Sequence, residues 1–237
     1  SRGLGDVYKR QGMICPNMAT MLCFLTTDVA IESEWLQRAI KKVADITFNM
    51  VSIDGDTSTN DMVSILASGL AGNPVIDQED SAYDLFVNAL YAVMMNLSRE
   101  LARDGEGATK LLECAVNGAP DETTAKKIAK SVITSSLFKS AMFGADANWG
   151  RILCAVGYTD AEFNIDRISV HLASAKGSIQ VCENGAGVPV DEDKAKQILL
   201  EDEIKIIIDL GYGEGSAMAW GCDLTYDYVK INGDYRT

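Results

Sequence analysis

The segment Glu203-Ile-Lys-Ile-Ile-Ile-Asp-Leu210 constrains this chain more than any other. It starts by alternating and then runs almost continuously apolar, the pattern of a strand covered by protein rather than water. Such a strand belongs inside a layered domain. Further strands are predicted at residues 20–27, 62–67, 110–116, 163–172, 178–182 and 216–231. Helices are predicted at 32–52, 79–103, 121–138, 147–156 and 191–199. The first of these rests on Trp35, Leu36, Ala39, Ile40, Val43 and Ile46 at helical spacing behind Glu32, Ser33 and Glu34. Asp80 with Ser81, and Pro120-Asp121, supply start signals for the next two. No regular βαβ repeat emerges, so the expected class is α/β in the α+β layered sense.

A chain of 237 residues buries roughly 70 to 75% of its unfolded surface and suffices for one large domain or two small ones. The net charge of −13 argues against nucleic acid or an anionic membrane as partner, because both need clustered Lys and Arg. No apolar run reaches the roughly 20 residues of a membrane helix. Small substrates or protein partners remain. The six cysteines, Cys15, Cys23, Cys114, Cys154, Cys182 and Cys222, include no Cys-x-x-Cys pair. They read as buried free thiols of a reducing compartment, and the cytoplasm is the expected location. His171 is the only histidine and sits in a strand-like run, Ile168-Ser-Val-His-Leu. That leaves a zinc site short of ligands and favours a structural histidine over a catalytic one.

Three stretches carry candidate chemistry. At Ala19-Thr20, a small residue precedes Thr, with Gly12 and Pro16 upstream and an apolar run downstream, which suits a chain folding back on its own peptide bond. A Thr that becomes an N-terminus carries its own base, because its α-amine can take the hydroxyl proton and return it. The same residues also read as a loop entering a buried strand. Asp54-Gly-Asp56-Thr-Ser-Thr-Asn60-Asp61 gathers carboxylates and hydroxyls and is either an active-site wall or a turn satisfying its own backbone; Thr59 and Ile65 exclude a calcium loop. Glu106 stands between two glycines, suited to orienting an amine or to a solvated turn. Asn148 and Arg151 read as a helix cap and a surface charge. Gly211-Tyr-Gly-Glu-Gly-Ser216 lacks the later Gly and the Gly-Lys-Ser/Thr of a phosphate loop, so nucleotide binding is rejected.

The run Gly12-Met-Ile-Cys-Pro-Asn-Met-Ala-Thr-Met-Leu-Cys-Phe24 resembles the self-cleavage site of the ornithine acetyltransferase family, bifunctional enzymes of arginine biosynthesis. The residues 54–61, Asp104-Gly-Glu106-Gly-Ala-Thr-Lys110, Ala147-Asn-Trp-Gly-Arg151 and Asn232-Gly-Asp-Tyr-Arg-Thr237 are similar to family motifs in the family's order. The resemblance implies cleavage at Ala19-Thr20 and helices flanking two stacked sheets. It implies acetyl transfer from N2-acetylornithine to glutamate through an acetyl ester of Thr20. It leaves acetyl-CoA open as a second acetyl donor and calls for no metal and no cofactor. Substrate binding would fall to Thr20, Glu106, Asn232 and Thr237. Lys9 stands at the spacing of a substrate-contacting Lys, although Arg10 and Gln11 beside it do not match.

The same likeness implies a catalytic domain over residues 20–237, the β segment, behind a remnant over residues 1–19. Residues 1–11 depart from the family's glycine-rich approach to the cut and read as a junction or artefact. An α segment would supply the oxyanion hole and dock in an α2β2 heterotetramer. Two readings of other classes share the motifs. A self-cleaving aminopeptidase or amidase would pass the acyl group from Thr20 to water, and a non-catalytic assembly subunit would never be acylated.

Overall fold

The computed structural model describes residues 4–8, 21–57 and 61–234, the first group as backbone only. Packing divides these residues into two units. The first holds the described residues through Val51 together with residues 56–101, and the second holds residues 52–55 and those from Ala102 onward. This division is one of packing and does not bear on the cleavage point expected before Thr20.

The chain runs β1 (Leu4–Tyr8), β2 (Leu22–Thr27), α1 (Ser33–Asp45), β3 (Val51–Ser52), β4 (Met62–Ala67) and α2 (Ser81–Arg103). In the first unit β2 pairs antiparallel with β1 and parallel with β4, Leu22 standing opposite Met62. Cys23 and Leu25 of β2 are buried while Leu22 and Phe24 are exposed, so this sheet is closed on one face. Ala39, Ile40, Val43 and Ala44 form the buried stripe of α1. The helix expected to reach residue 52 stops at Asp45. The Thr47 hydroxyl turns back to the Val43 carbonyl at 2.6 Å, and a 3₁₀ turn, Phe48–Met50, redirects the chain into β3. Helix α2 starts as expected, with the Asp80 carboxylate accepting from the Ala82 and Tyr83 amides.

The second unit continues with β5 (Leu111–Ala119), α3 (Glu122–Thr134), α4 (Ser136–Phe143), α5 (Trp149–Gly157), β6 (Ser169–Ser174), β7 (Gly177–Glu183), β8 (Ala186–Gly187), α6 (Glu192–Leu199), β9 (Glu203–Asp209), β10 (Gly215–Cys222) and α7 (Tyr226–Asp234). Its sheet has the order β3-β10-β5-β9-β6-β7-β8, with β5 and β9 parallel and β10 and β6 antiparallel to their neighbours. Leu112, Cys114 and Val116 of β5 share one face with Ile204, Ile206 and Ile208 of β9, all fully buried. Helix α3 lies against this face with Ile128, Val132 and Ile133. Gly221 of β10 admits it, because a side chain there would strike Ile133.

Five sequence expectations change here. Strand β9 is closed on one face only: Lys205 is exposed, Ile207 is half-buried, and the face they share also carries the buried pair Glu113 and Trp220. The helix expected over 121–138 is two helices, because Ser135 leaves helical geometry and caps α4 through the Phe138 amide. The strand expected from residue 163 begins at Ser169, after a 3₁₀ turn, Ile165–Arg167, capped by Asn164. The strand expected to run to residue 231 ends at Cys222, and helix α7 follows. Cys154 is exposed on α5, whereas Cys23, Cys114, Cys182 and Cys222 are buried; Cys15 lies outside the described residues. The mixed α/β class and the flanking of sheets by helices stand as expected. Among the described residues no helix is long and apolar enough to cross a membrane.

Candidate functional site

Thr20, with Ala19, Lys9 and Thr237, lies outside the described residues. Glu106 and Asn232 are described, and the second unit brings them together across 126 positions of sequence: the Asn232 amide nitrogen donates to the Glu106 carboxylate at 2.7 Å. The same nitrogen donates to the Tyr228 carbonyl one turn earlier at 3.1 Å. Both N–H groups of the Asn232 amide are thereby engaged, so what the pair can offer an amino acid is acceptors for its ammonium, the Glu106 carboxylate and the Asn232 amide oxygen.

Glu106 occupies the loop between α2 and β5, and Gly107, Thr109 and Lys110 after it are fixed by partners on the β10–α7 connection. Gly107 has φ +64°, and a Cβ there would stand 2.6 Å from the Tyr228 amide nitrogen, so only glycine lets the first turn of α7 sit against this loop. Thr225 caps α7 by accepting from the Tyr228 amide at 3.2 Å while its hydroxyl donates to the Gly107 carbonyl at 2.7 Å. The buried Asp223 carboxylate accepts the backbone amides of Thr109 at 2.8 Å and Lys110 at 3.0 Å, and the Thr109 hydroxyl as well.

Two buried lysines brace this arrangement from below. The Lys110 ammonium donates to the Met142 carbonyl at 2.6 Å and the Leu199 carbonyl at 2.7 Å, both in the last turns of their helices, α4 and α6. Helix C-termini present unpaired carbonyls and the negative end of the helix dipole, which suits a cation. Burial nevertheless pushes the Lys110 amine below its ordinary value, against the opposing pull of Asp223 and Asp202. The Lys139 ammonium donates to the Ile53 carbonyl, and the Lys139 carbonyl accepts from the Leu224 amide at 3.3 Å. Helix α4 thereby ties residues 53–55 to the segment that carries Asp223 and Thr225.

From the polar run 54–61 the structure brings Asp54 to this cluster, where its carboxylate accepts from the Tyr228 hydroxyl at 3.3 Å. Residues 58–60 of that run lie outside the described residues. The Asn148 side chain accepts from the Arg151 amide and Arg151 donates to the Leu137 carbonyl at 2.9 Å, a helix cap and a surface contact. His171 pairs in register with Gln180 and Ile207 within the sheet and is not among the residues that bond Glu106 or Asn232.

Sequence reasoning missed Asp223, Thr225, Tyr228 and Lys139, and gave Lys110, the last residue of a family motif, no role. Thr225 followed by Asp227 in the first turn was a readable helix start. The two lysines carried no local signal, because their carbonyl partners lie 32 and 89 positions away for Lys110 and 86 for Lys139.

The sequence profile of the ArgJ family matches residues 3–237. The chain is 52% identical over 229 residues to the arginine biosynthesis bifunctional protein ArgJ of Caldanaerobacter subterraneus subsp. tengcongensis, covering 97% of this chain and 57% of that protein. It is 50% identical over 231 residues to the protein of that name from Thermotoga neapolitana, covering 98% and 58%. The chain therefore spans a little more than half the length of these curated relatives. Among solved structures, that of the arginine biosynthesis bifunctional protein ArgJ from Bacillus halodurans has a TM-score of 0.85 at 44% identity, over 90% of this chain and 98% of that one.

Proposed function

The chain belongs to the ArgJ family, and on that premise we propose that it moves acetyl from N2-acetylornithine to glutamate in arginine biosynthesis. Cleavage before Thr20 frees an α-amine that serves as base for the Thr20 hydroxyl. The Thr20 oxygen attacks the acetyl carbonyl carbon, the amide C–N bond breaks, and ornithine leaves with the proton carried by the amine. Acetyl remains as an ester. The glutamate amine then attacks that ester, loses a proton to the Thr20 amine, and expels the Thr20 oxygen, which takes the proton back.

Glu106, Asn232 and Thr237 hold the amino-acid backbone common to donor and acceptor, and Lys9, at the family spacing but among unmatched neighbours, is a weaker candidate for a further contact. The observation that carries this reading is the Glu106–Asn232 pair at 2.7 Å, two residues far apart in sequence and both within family motifs. No metal or cofactor is required, and acetyl-CoA is a second donor in the same chemistry. The partner is the α segment that fills the remaining length of the relatives, in an α2β2 assembly in the cytoplasm. The apolar face of the first unit's sheet, with Leu22, Phe24, Met62 and Leu66 exposed, supports such a covering partner.

The test is an intact mass of the chain expressed together with that segment, before and after N2-acetylornithine. The expected result is a fragment beginning at Thr20 that gains one acetyl, which glutamate then removes; Thr20→Ala gives neither. A cut chain that loses its acetyl to water, with or without glutamate, would make it a hydrolase instead.

A further inference from the structure

Helix α7 carries Asn232 yet has no buried residue. Tyr226 and Val229 are 83% and 64% exposed, and the ring of Tyr226 meets Phe143 only edge-on at 5.6 Å. A nine-residue helix without an apolar anchor is too short to persist in water by its own propensity. Its position is set by polar pins on one face. Thr225, Tyr228 and Asn232 follow at helical spacing, reaching Gly107, Asp54 and Glu106 respectively. Thr225 fixes where the helix starts, but it sits at the pivot and leaves the far end free to swing. Asn232 lies two turns further on. Between them, Tyr228 ties the helix body to a second segment, the residue 53–55 loop that the buried Lys139 holds in place.

We infer that Tyr228 is a positioning residue for the amino-acid site: its hydroxyl, held by Asp54, sets the swing of α7 so that the Asn232 amide meets Glu106. This rests on the reading of Glu106 and Asn232 as amino-acid ligands and adds to it the device that keeps them in register. The Thr20 chemistry does not pass through Tyr228. Loss of the phenol hydroxyl should therefore weaken substrate binding and leave the acyl step largely intact.

The experiment uses the complete two-segment protein and four variants, Tyr228→Phe, Asp54→Ala, Asp54→Asn and the double variant Tyr228→Phe with Asp54→Ala. Lys230→Gln on the exposed face of α7 is the control. Tyr228→Phe should raise the KM for glutamate about fivefold, the scale of one net hydrogen bond, with kcat nearly unchanged. Asp54→Ala should match it, and Asp54→Asn, which keeps an acceptor oxygen, should restore most of the loss. The double variant should be no worse than either single one.

Amide hydrogen exchange supplies a readout independent of activity. Residues 226–234 should exchange faster in Tyr228→Phe while β5 and β9 stay as protected as before. Unchanged exchange in α7, additive losses in the double variant, or a fall in kcat at constant KM would each overturn the inference. A wild-type protein that transfers no acetyl would instead sink the proposed function, and the exchange comparison would still decide whether Tyr228 positions α7.

Discussion

Helices α3 and α7 belong to the same unit and are held by opposite means. Helix α3 buries Thr124, Ala125, Ile128, Ala129, Val132 and Ile133 against the sheet, while α7 buries nothing and hangs from hydrogen bonds. A fully buried aliphatic side chain contributes about 1.5 to 3 kcal/mol, whereas a hydrogen bond contributes about 1 kcal/mol net of its bonds to water. Helix α3 should open only with the whole unit, and α7 at much lower free energy. The difference has a functional reading. On the proposed function, the element that must be permanent is packed, and the element that would present Asn232 to substrate is pinned.

The sharpest way to break this contrast is to truncate the packed helix. Ile128 is fully buried, and Ile128→Ala should lower the unfolding free energy by about 2 to 5 kcal/mol, read from denaturant midpoints. Val229→Ala on α7 should stay within about 0.5 kcal/mol of wild type. A comparable loss in both variants would mean that α7 contributes to the core after all.

Asp223 lies between the two regimes, since it is buried like a core residue but works through hydrogen bonds. Asp223→Ala leaves the amides of Thr109 and Lys110 without their acceptor, at a cost of about 2 to 3 kcal/mol. Asp223→Asn keeps an oxygen for both amides and should recover most of that. Equal losses in the two variants would show that the charge opposite Lys110, rather than the acceptor geometry, is what matters.

The packed half of this contrast was legible in the sequence, and the pinned half was not. Asp121, Asn148 and Asp191 each accept from the amide three residues on, and each marked its helix in the sequence. Strand β4 fell on the residues expected, since a short apolar run bounded by polar ones leaves few choices. Residues 226–231 of α7 fall within the strand expected over 216–231; Leu224, Tyr226 and Tyr228 alternate there with Thr225 and Asp227, and aromatic residues favour strands. What makes it a helix is the seat at Gly107 and the polar partners on distant loops, which no local window contains. Ser135 was invisible for a related reason: neither Gly nor Pro marks the break between α3 and α4. For the candidate site, Glu106 and Asn232 stand in family motifs and the structure brings them together, while the residues that hold them in place declare themselves only through contacts.

A smaller effect compares the caps of the two helices. Asp121→Ala and Thr225→Ala each remove one side-chain acceptor from a helix start, worth about 1 kcal/mol at either place, and Thr225→Ala also removes the donor to the Gly107 carbonyl. The readouts should differ. Loss of the Asp121 cap should lower the unfolding midpoint, because α3 unfolds with the core. Loss of the Thr225 cap should leave the midpoint nearly fixed and speed amide exchange in residues 226–234 alone. A lowered midpoint for Thr225→Ala would tie α7 to the cooperative core.

The smallest effect is a difference in labelling rates that leaves stability untouched. Cys114 lies on the sheet face beneath α3, and burial pushes its thiol well above the ordinary range, so the reactive thiolate forms only when that layer opens. Cys222 is also buried, but a Cβ built on Gly105 would lie 2.9 Å from its sulfur, which places it directly beneath the loop that α7 secures. Cys154, exposed on α5, should be alkylated first of these three, Cys222 next and Cys114 last, as followed by mass spectrometry of the folded protein. Thr225→Ala should quicken Cys222 and leave Cys114 where it was, because it loosens the pinned helix without disturbing the packed one. If Cys114 quickens equally, the two helices open together, and the packing of α3 offers no shelter that the pins of α7 lack.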